Sequence, residues 1–311
     1  MCSETNFLSE KTPTCPESLL KKVNKKRLVR LAIACACSEI PMLSAYEGFK
    51  SGIITPIFIG NKKRINKIAL QLKWDISPFQ IYDEKHEAIS AEVASELCGA
   101  GEADVLMKGH LHTDVFMKAV LNDKSKLKTN SRLVHLFYIT PPNNGKPVII
   151  SDAAVNISPS IETRKTSTIK SVELLRKLGV KYPKIAFLSA SESIIKSMPS
   201  SVEAKEISIW AKKTIKDAHF SGPLALDLIF SKEAGKIKGL NKDIVVGSAD
   251  AVIVPEIVSG NTLFKSLVYF SGGCAAGIVL GAKVPILLTS RADPIAARLA
   301  SIAIASIYVN S

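Results

Sequence analysis

Three polar side chains follow the apolar run at residues 284–288, in the segment VPILLTSRADPIAAR. Ser290, Arg291 and Asp293 fall within four positions and precede Pro294. A guanidinium is always charged and can hold phosphate through two parallel N–H donors. A hydroxyl can stabilise developing negative charge, and a carboxylate can accept a proton. The segment therefore predicts anion chemistry at a strand end, although Ser290 and Asp293 also suit the start of the helix that follows.

Two further segments share this order of strand, polar loop and helix. In VLMKGHLHTD and VIVPEIVSGNTLFK the polar residues are Lys108, His110, His112, Thr113, Asp114, Glu256, Ser259, Asn261, Thr262 and Lys265. Ligands of open α/β sheets bind beyond the carboxyl ends of the strands, and the free N–H groups of helix starts favour anions. We therefore expect phosphate groups to bind at all three segments. Asn261 and Lys265 lie one helical turn apart, so they share a face.

The common nucleotide and hydrolase motifs do not occur in the sequence. Residues 272–277 read GGCAAG instead of G-x-G-x-x-G, and neither G-x-x-x-x-G-K-[ST] nor G-x-S-x-G is found. His110 and His112 form an H-x-H pair, but no cysteine or carboxylate at a matching spacing completes a metal site. We expect no metal, and these histidines are typical of a polar loop.

The elements around these segments alternate between strands and helices. The strand LVRLAIACAC leads to the helix PMLSAYEGFKSG, and the alternation continues through ADVLMKG and TDVFMKAVL. This pattern predicts a mostly parallel sheet covered by helices on both faces. A hairpin around Asn144-Gly145 interrupts it, before a second alternating series from KIAFLSA to VPILLTS. Between them, the helix ETRKTSTIKSVELLRKLG places Ile169, Val172, Leu175 and Leu178 on one stripe.

The same patterns predict two α/β domains behind a polar tail at residues 1–20. The first domain takes residues 21–150 together with 286–311, and the second takes residues 151–285. A chain of 311 residues is long enough for both.

Composition narrows the classes of protein further. The formal charge is +13, but the cations are dispersed and no basic arm alternates with aromatics, so nucleic acid is not the expected partner. Polyanionic substrates suit such a charge equally well. The six cysteines include no C-x-x-C pair, and Cys35 and Cys37 are interpreted as packed residues on one face of a strand. Without a signal core or a membrane-spanning stretch, we expect a reduced, cytoplasmic protein.

The chain resembles the phosphate acetyltransferase/phosphate butyryltransferase family. The resemblance rests on ADVLMKGHLHTDVFMKAVL, on SDAAVNISPS with its D-x-x-V-x-x-x-P pattern, and on three later segments in family order. These later segments are SGPLALDLIFSKEA, ADAVIVPEIVSGNTLFKSLVYF and GIVLGAKVPILLTSRAD. The match covers most of residues 30–311, and GPLALD and LTSRAD look closer to the butyryl branch.

The resemblance implies a two-domain α/β/α fold like that of the isocitrate/isopropylmalate dehydrogenases, with an inter-domain cleft and a homodimeric assembly. It also implies the reversible reaction of acyl-CoA with phosphate to give acyl phosphate and CoA. CoA is then a substrate, and neither a metal nor a bound cofactor performs the chemistry. The length of the acyl chain, acetyl or butyryl, stays open.

The resemblance also suggests roles for particular residues. Arg291 matches the phosphate-contacting arginine, and Ser290 the serine that stabilises the developing charge. Asp293 is the nearest carboxylate for the base, because Ala297 occupies the position used in the acetyl branch. The alternatives are Asp152 or Glu256 as the base, or direct attack with proton transfer to phosphate. The expected substrate-binding residues are Lys118, Asn261, Lys265, Lys108 and His112, with Arg132, Arg164 and Lys165 as weaker anion candidates.

Two functional hypotheses follow from this resemblance. The first is an acyltransferase that makes or uses acetyl or butyryl phosphate. The second is a non-catalytic module of the same fold that senses acyl-CoA, which the unusual Ala297 keeps open. The Ser290-Arg291 pair favours the enzyme.

Overall fold

The computed structural model describes residues 8–142, 145–288 and 293–311. The chain has a mixed α/β fold, as predicted, and folds into two compact units. The N-terminal unit comprises Pro13–Leu133 and Ala276–Ser311, and the central unit comprises Met1–Thr12 and Val134–Ala275.

The N-terminal unit contains strands that each lead into a helix. Its elements are α1 (Glu17–Leu20), β1 (Val29–Ala34), α2 (Glu39–Lys50), β2 (Ile54–Gly60), α3 (Lys62–Gln71), β3 (Ile81–Asp83), α4 (Glu87–Ala100), β4 (Val105–Lys108) and α5 (Thr113–Val120). After the central unit, the chain returns to it and ends with β11 (Ile286–Leu287) and α11 (Ile295–Asn310).

The strands of the N-terminal unit pair in the order β3-β2-β1-β4-β11, and every pair among them is parallel. Parallel strands need helical crossovers, which bury both faces of the sheet and explain the apolar runs in β1 and β2. The helix α11 is apolar around most of its circumference and is buried over most of its length.

The central unit contains the hairpin and the second alternating series. Its elements are β5 (Val134–Thr140), β6 (Val148–Ser151), α6 (Ile161–Lys177), β7 (Lys184–Leu188), α7 (Pro199–Thr214), β8 (His219–Leu224), α8 (Leu226–Phe230), α9 (Lys232–Ile237), β9 (Ala251–Ile253) and α10 (Ile257–Tyr269). The strand β10 (Cys274–Leu280) contains the boundary between the units.

The strands of the central unit pair in the order β5-β6-β9-β7-β8. β5 and β6 form the predicted antiparallel hairpin, with Leu136 opposite Ser151, and the other pairs are parallel. The turn residues Asn143 and Asn144 lie outside the described residues. The strands β8 and β10 were not predicted, because their glycines and small residues weaken the strand pattern.

The buried face of α6 differs from the predicted apolar stripe. Val172, Leu175 and Leu178 are buried, but Ile169 is 44% exposed. The buried positions near the start of the helix are instead polar, namely Thr163, Arg164, Ser167, Thr168 and Ser171. The apolar stripe therefore predicted which residues are buried in the second half of this helix, but not in the first half.

Among the helices that the structure describes, none is both long enough and apolar enough to cross a lipid bilayer.

Candidate active site

The carboxyl ends of β1, β2, β4 and β11 share one edge of the N-terminal unit, because these strands are parallel. The helices α2, α3 and α5 begin at this edge, so their free N–H groups point there. The predicted Ser290 and Arg291 lie outside the described residues, and their positions stay predictions.

Gly109 allows the loop after β4 to pass close to the end of β1. Its N–H donates to the carbonyl of Ala34 at 2.8 Å, and the N–H of His110 donates to the carbonyl of Cys35 at 3.0 Å. A Cβ atom at position 109 would overlap both carbonyl oxygens. The start of the loop is therefore held by main-chain contacts that only glycine permits.

His112 is engaged with a carboxylate at the start of α5. Its N–H donates to Oε2 of Glu87 at 3.2 Å, and its Nδ1 lies 3.0 Å from Oε1. These hydrogen bonds, above all the one from the imidazole, hold the pKa of Glu87 below its usual range. Glu87 thus occupies the helix end where an anion was expected, and a ligand phosphate would have to displace it or bind beside it.

The two lysines predicted here have different environments. Lys108, the last residue of β4, is buried, whereas Lys118 is exposed on the last turn of α5. Lys118 is therefore open to a solvent-borne anion.

Asp152 organises the loop after β6 in the central unit. The carboxylate is buried and accepts four hydrogen bonds, from the N–H groups of His135, Ala154 and Val155 and from Nδ2 of Asn156, at 2.7 to 3.0 Å. Its lone pairs are thereby engaged, which favours a structural role over a role as base.

The first turn of α10 packs on this loop. Nδ2 of Asn261 donates to the carbonyl of Ala153 at 3.0 Å, and a Cβ atom at Gly260 would lie 2.6 Å from the carbonyl oxygen of Asp152. The side-chain amide of Asn261 therefore uses one N–H donor to position the helix. The structure describes no hydrogen bond to its side-chain oxygen, Oδ1. Lys265 is exposed one turn further along.

Glu256 caps the same helix. Its carboxylate accepts from the N–H groups of Val258 at 2.6 Å and Ser259 at 2.7 Å. Partial burial acts to raise its pKa, but these hydrogen bonds prevail and the pKa is lowered. Like Asp152, this alternative base is already used in holding the fold.

His135 is a buried histidine that the sequence prediction missed. Its ring stacks on Phe137 at 4.2 Å between centroids, and Phe137 stacks on Phe264 of α10 at 4.1 Å. Burial lowers its pKa to about 4, and neither ring nitrogen has a hydrogen-bond partner within the described part of the chain. The polar residue within the buried strand VHLFYIT was the signal available for it.

Asp293 lies just before α11, beside the buried guanidinium of Arg298. Nε of Arg298 donates to the backbone carbonyl of Asp293 at 3.2 Å. Burial lowers the pKa of Arg298, and the carboxylate of Asp293 opposes that shift. Arg298 was not predicted, although an arginine within the apolar helix IAARLASIAI is an unusual feature.

The weaker anion candidates are mostly paired. Arg164 bonds Glu203 at 2.8 Å, and Lys165 bonds Glu162 at 2.7 Å. Arg132 is exposed. No group of three or more His, Cys, Asp or Glu side chains within the described ranges is arranged to hold a metal ion.

Both units are thus α/β structures in which polar residues collect where parallel strands end, the general arrangement of an α/β enzyme. A family model described as phosphate acetyl/butaryl transferase matches residues 90–306. The chain is 37% identical to a phosphate acetyltransferase of Rhizobium meliloti over 277 residues, covering 89% of this chain and 87% of that protein. It is 32% identical to a phosphate butyryltransferase of Clostridium acetobutylicum over 294 residues, covering 94% and 97%.

A solved structure agrees with these relatives. The branched-chain phosphotransacylase from Enterococcus faecalis V583 superposes with a TM-score of 0.79 at 30% identity, covering 91% of this chain and 99% of that one. The chain belongs to the phosphate acetyltransferase/phosphate butyryltransferase family, as its motifs predicted.

Proposed function

We propose that the protein transfers a short acyl group reversibly between CoA and inorganic phosphate. The observation that carries this proposal is its similarity, over most of both chains, to phosphate acetyltransferases and a phosphate butyryltransferase. CoA and phosphate are then substrates, and the protein is an acyltransferase.

The proposed chemistry gives roles to Ser290, Arg291 and Asp293 in the segment VPILLTSRADPIAAR. In the direction from acyl phosphate, the CoA thiol loses its proton, and its sulfur attacks the acyl carbon. Ser290 stabilises the tetrahedral oxyanion, the bond from carbon to the phosphate oxygen breaks, and Arg291 holds the departing phosphate. Asp293 takes the thiol proton, since an ordinary thiol with a pKa of about 8.5 is mostly protonated at neutral pH.

Substrate binding is proposed for residues of both units. Lys118 and Lys265 are exposed cations on helices that begin at polar strand ends, and they suit the phosphates of CoA or acyl phosphate. Asn261 can accept a hydrogen bond through its carbonyl oxygen. Lys108 and His112 complete the set, His112 after its carboxylate partner Glu87 is displaced.

The remaining parts of the proposal rest on the family resemblance. They are an isocitrate/isopropylmalate dehydrogenase-like arrangement of two domains with a substrate cleft, a homodimeric assembly, a cytoplasmic location, and catalysis without a metal or bound cofactor.

The test is a direct assay with both acyl donors. Purified protein is mixed with CoA and acetyl phosphate, or with CoA and butyryl phosphate, and the thioester absorbance is followed. Turnover with either donor supports the proposal, and the ratio of the two kcat/KM values gives the preferred acyl length. No turnover with either donor, together with tight binding of acyl-CoA, would instead indicate an acyl-CoA sensor.

A further inference from the structure

The central unit contains a cavity at the edge of its sheet where the strands begin. The cavity has a volume of about 300 Å³ and is lined by residues of β7, of α9 and of the loop from α9 to β9. Lys184 is the first residue of β7, and Ser248 lies just before β9. Because β6, β7 and β9 are parallel, the loop after β6 and the start of α10 lie at the opposite edge. The cavity is therefore separate from Asp152 and Asn261.

Three lysines line this cavity, namely Lys184, Lys232 and Lys236. Lys236 pairs with Glu233 at 3.2 Å, but both side chains are more than half exposed, so water weakens the pair. Nζ of Lys184 donates to Oγ of Ser248 at 3.2 Å, and Lys232 has no hydrogen bond or ion pair among the described residues. Two of the three ammonium groups thus have no carboxylate partner in the part of the chain that the structure describes.

Two carboxylates close to the cavity are already engaged by other groups. The carboxylate of Asp243 accepts from a backbone N–H at 2.9 Å through Oδ1 and from Oγ of Ser221 at 2.5 Å through Oδ2. Asp250 pairs with Lys146 at 2.6 Å and accepts from the N–H of Lys184 at 2.8 Å. Neither carboxylate forms a described ion pair with an ammonium group of the cavity, so an anion from solvent can supply that charge.

The other side of the cavity is apolar and fixed in position. Leu240, Ile244 and Val246 line it, and Ile244 is 52% exposed. A Cβ atom at Gly247 would lie 2.4 Å from the backbone nitrogen of Lys232, so the loop packs directly on the start of α9. The apolar wall and the backbone that carries Lys232 therefore keep a fixed separation, which lowers the cost of ordering them around a ligand.

We propose that this cavity binds a small organic phosphate. The phosphate dianion lies among Lys184, Lys232 and Lys236, and the organic group packs against Ile244 and Val246. An ammonium group is a common partner of phosphate, and two uncompensated ammonium groups match a dianion in charge. The volume is at the lower end of the range of small-molecule sites, about 300–1,000 Å³, which suits a phosphate monoester with one ring. Binding at this edge does not depend on the proposed acyl transfer.

Phenyl phosphate, which joins one phosphate to one apolar ring, is the probe for this site. The full chain is labelled with ¹³C at the δ1 methyl groups of isoleucine, and the Ile244 signal is assigned by its absence from Ile244→Val. Phenyl phosphate should shift this signal, and inorganic phosphate should bind about 10-fold more weakly because it buries no ring. An Ile244 signal that millimolar phenyl phosphate leaves unmoved refutes the proposal. Equal affinity for the two probes would overturn the choice of an organic phosphate.

Lysine variants then locate the bound phosphate. Lys232→Ala should raise the Kd for phenyl phosphate about 10-fold, because a charge-assisted contact is lost. Lys242→Ala is the matched control, since it removes the same charge from an exposed position that does not line the cavity, and it should change Kd by less than about 2-fold. Equal effects of the two variants would overturn the site. Loss of the Ile244 shift in Lys265→Ala, which alters a proposed substrate-binding lysine, would do the same.

Discussion

Gly260 is the position where a single methyl group tests how the central unit positions the start of α10. A Cβ atom added at this position would lie 2.6 Å from the carbonyl oxygen of Asp152, 2.9 Å from Cγ2 of Val254 and 3.2 Å from Cα of Ala153. Two of these atoms belong to the backbone and cannot rotate away. Gly260→Ala must therefore shift the start of α10 by about half an ångström or more to restore normal contacts.

The expected free-energy change combines two opposing effects. Replacing glycine by alanine within a helix stabilises it by about 1 kcal/mol. Crowding in a packed interior costs about 1–3 kcal/mol, and the strain here falls on backbone. We expect a net destabilisation of about 1–2 kcal/mol, which lowers the melting temperature by about 2–8 °C. Because Asn261 and Lys265 move with the helix, the KM for CoA or acyl phosphate should rise about 10-fold, as a ligand hydrogen bond is lost.

Thermal unfolding and steady-state kinetics measure both effects. The matched control is Ser266→Ala on the same helix, which gains helix propensity without entering this contact and should be neutral or slightly stabilising. A Gly260→Ala variant as stable as Ser266→Ala would refute the reasoning about the contact. A destabilised variant with unchanged KM values would show that the position of α10 does not affect substrate binding.

Three further results are expected. Arg291→Ala should raise the KM for phosphate and lower kcat by about 10-fold or more. Arg291→Lys keeps the charge but loses the two parallel N–H donors of the guanidinium. Unchanged kinetics would show that Arg291 does not act in the site. Because buried His135 stays neutral while the unfolded chain binds a proton, the free energy of unfolding should fall by about 3 kcal/mol from pH 6.5 to 4. His135→Phe should lose this part of the slope in denaturant titrations, and an identical slope would contradict it. Glu203→Gln should cost about 1–3 kcal/mol, since it leaves buried Arg164 unpaired; the exposed Glu206→Gln on the same helix should cost almost nothing, and equal effects would refute the pairing.

Local patterns predicted the α/β class and most of the elements. The alternation from LVRLAIACAC to TDVFMKAVL corresponds to β1 through α5, and the hairpin corresponds to β5 and β6. Such predictions succeed because hydrophobic period and turn chemistry act over a few neighbouring residues. They failed in α6 at Ile169, which is exposed, and in the turns before it, where polar side chains are buried. The packing partner of a helix decides which face it buries.

The family resemblance predicted more of the function than of the site's internal contacts. Membership of the family follows from motifs that can be read along the chain, and the comparisons confirm it. The roles of Ser290, Arg291 and Asp293 stay predictions. The order of residues along the chain showed which polar residues follow strands. Because parallel strands end at one edge of a sheet, these residues were expected at that edge.

The sequence by itself therefore determined which residues reach the ends of the strands and to which family the chain belongs. Only the tertiary structure decided their partners. Glu87 meets His112 from another helix, and Asp152 collects donors from β5 and from its own loop. Cys35 turns out of β1 in a left-handed conformation, and the loops at Gly60 and Gly109 pack against its backbone. Partners of this kind depend on distant segments meeting in the fold, and no local pattern records such meetings.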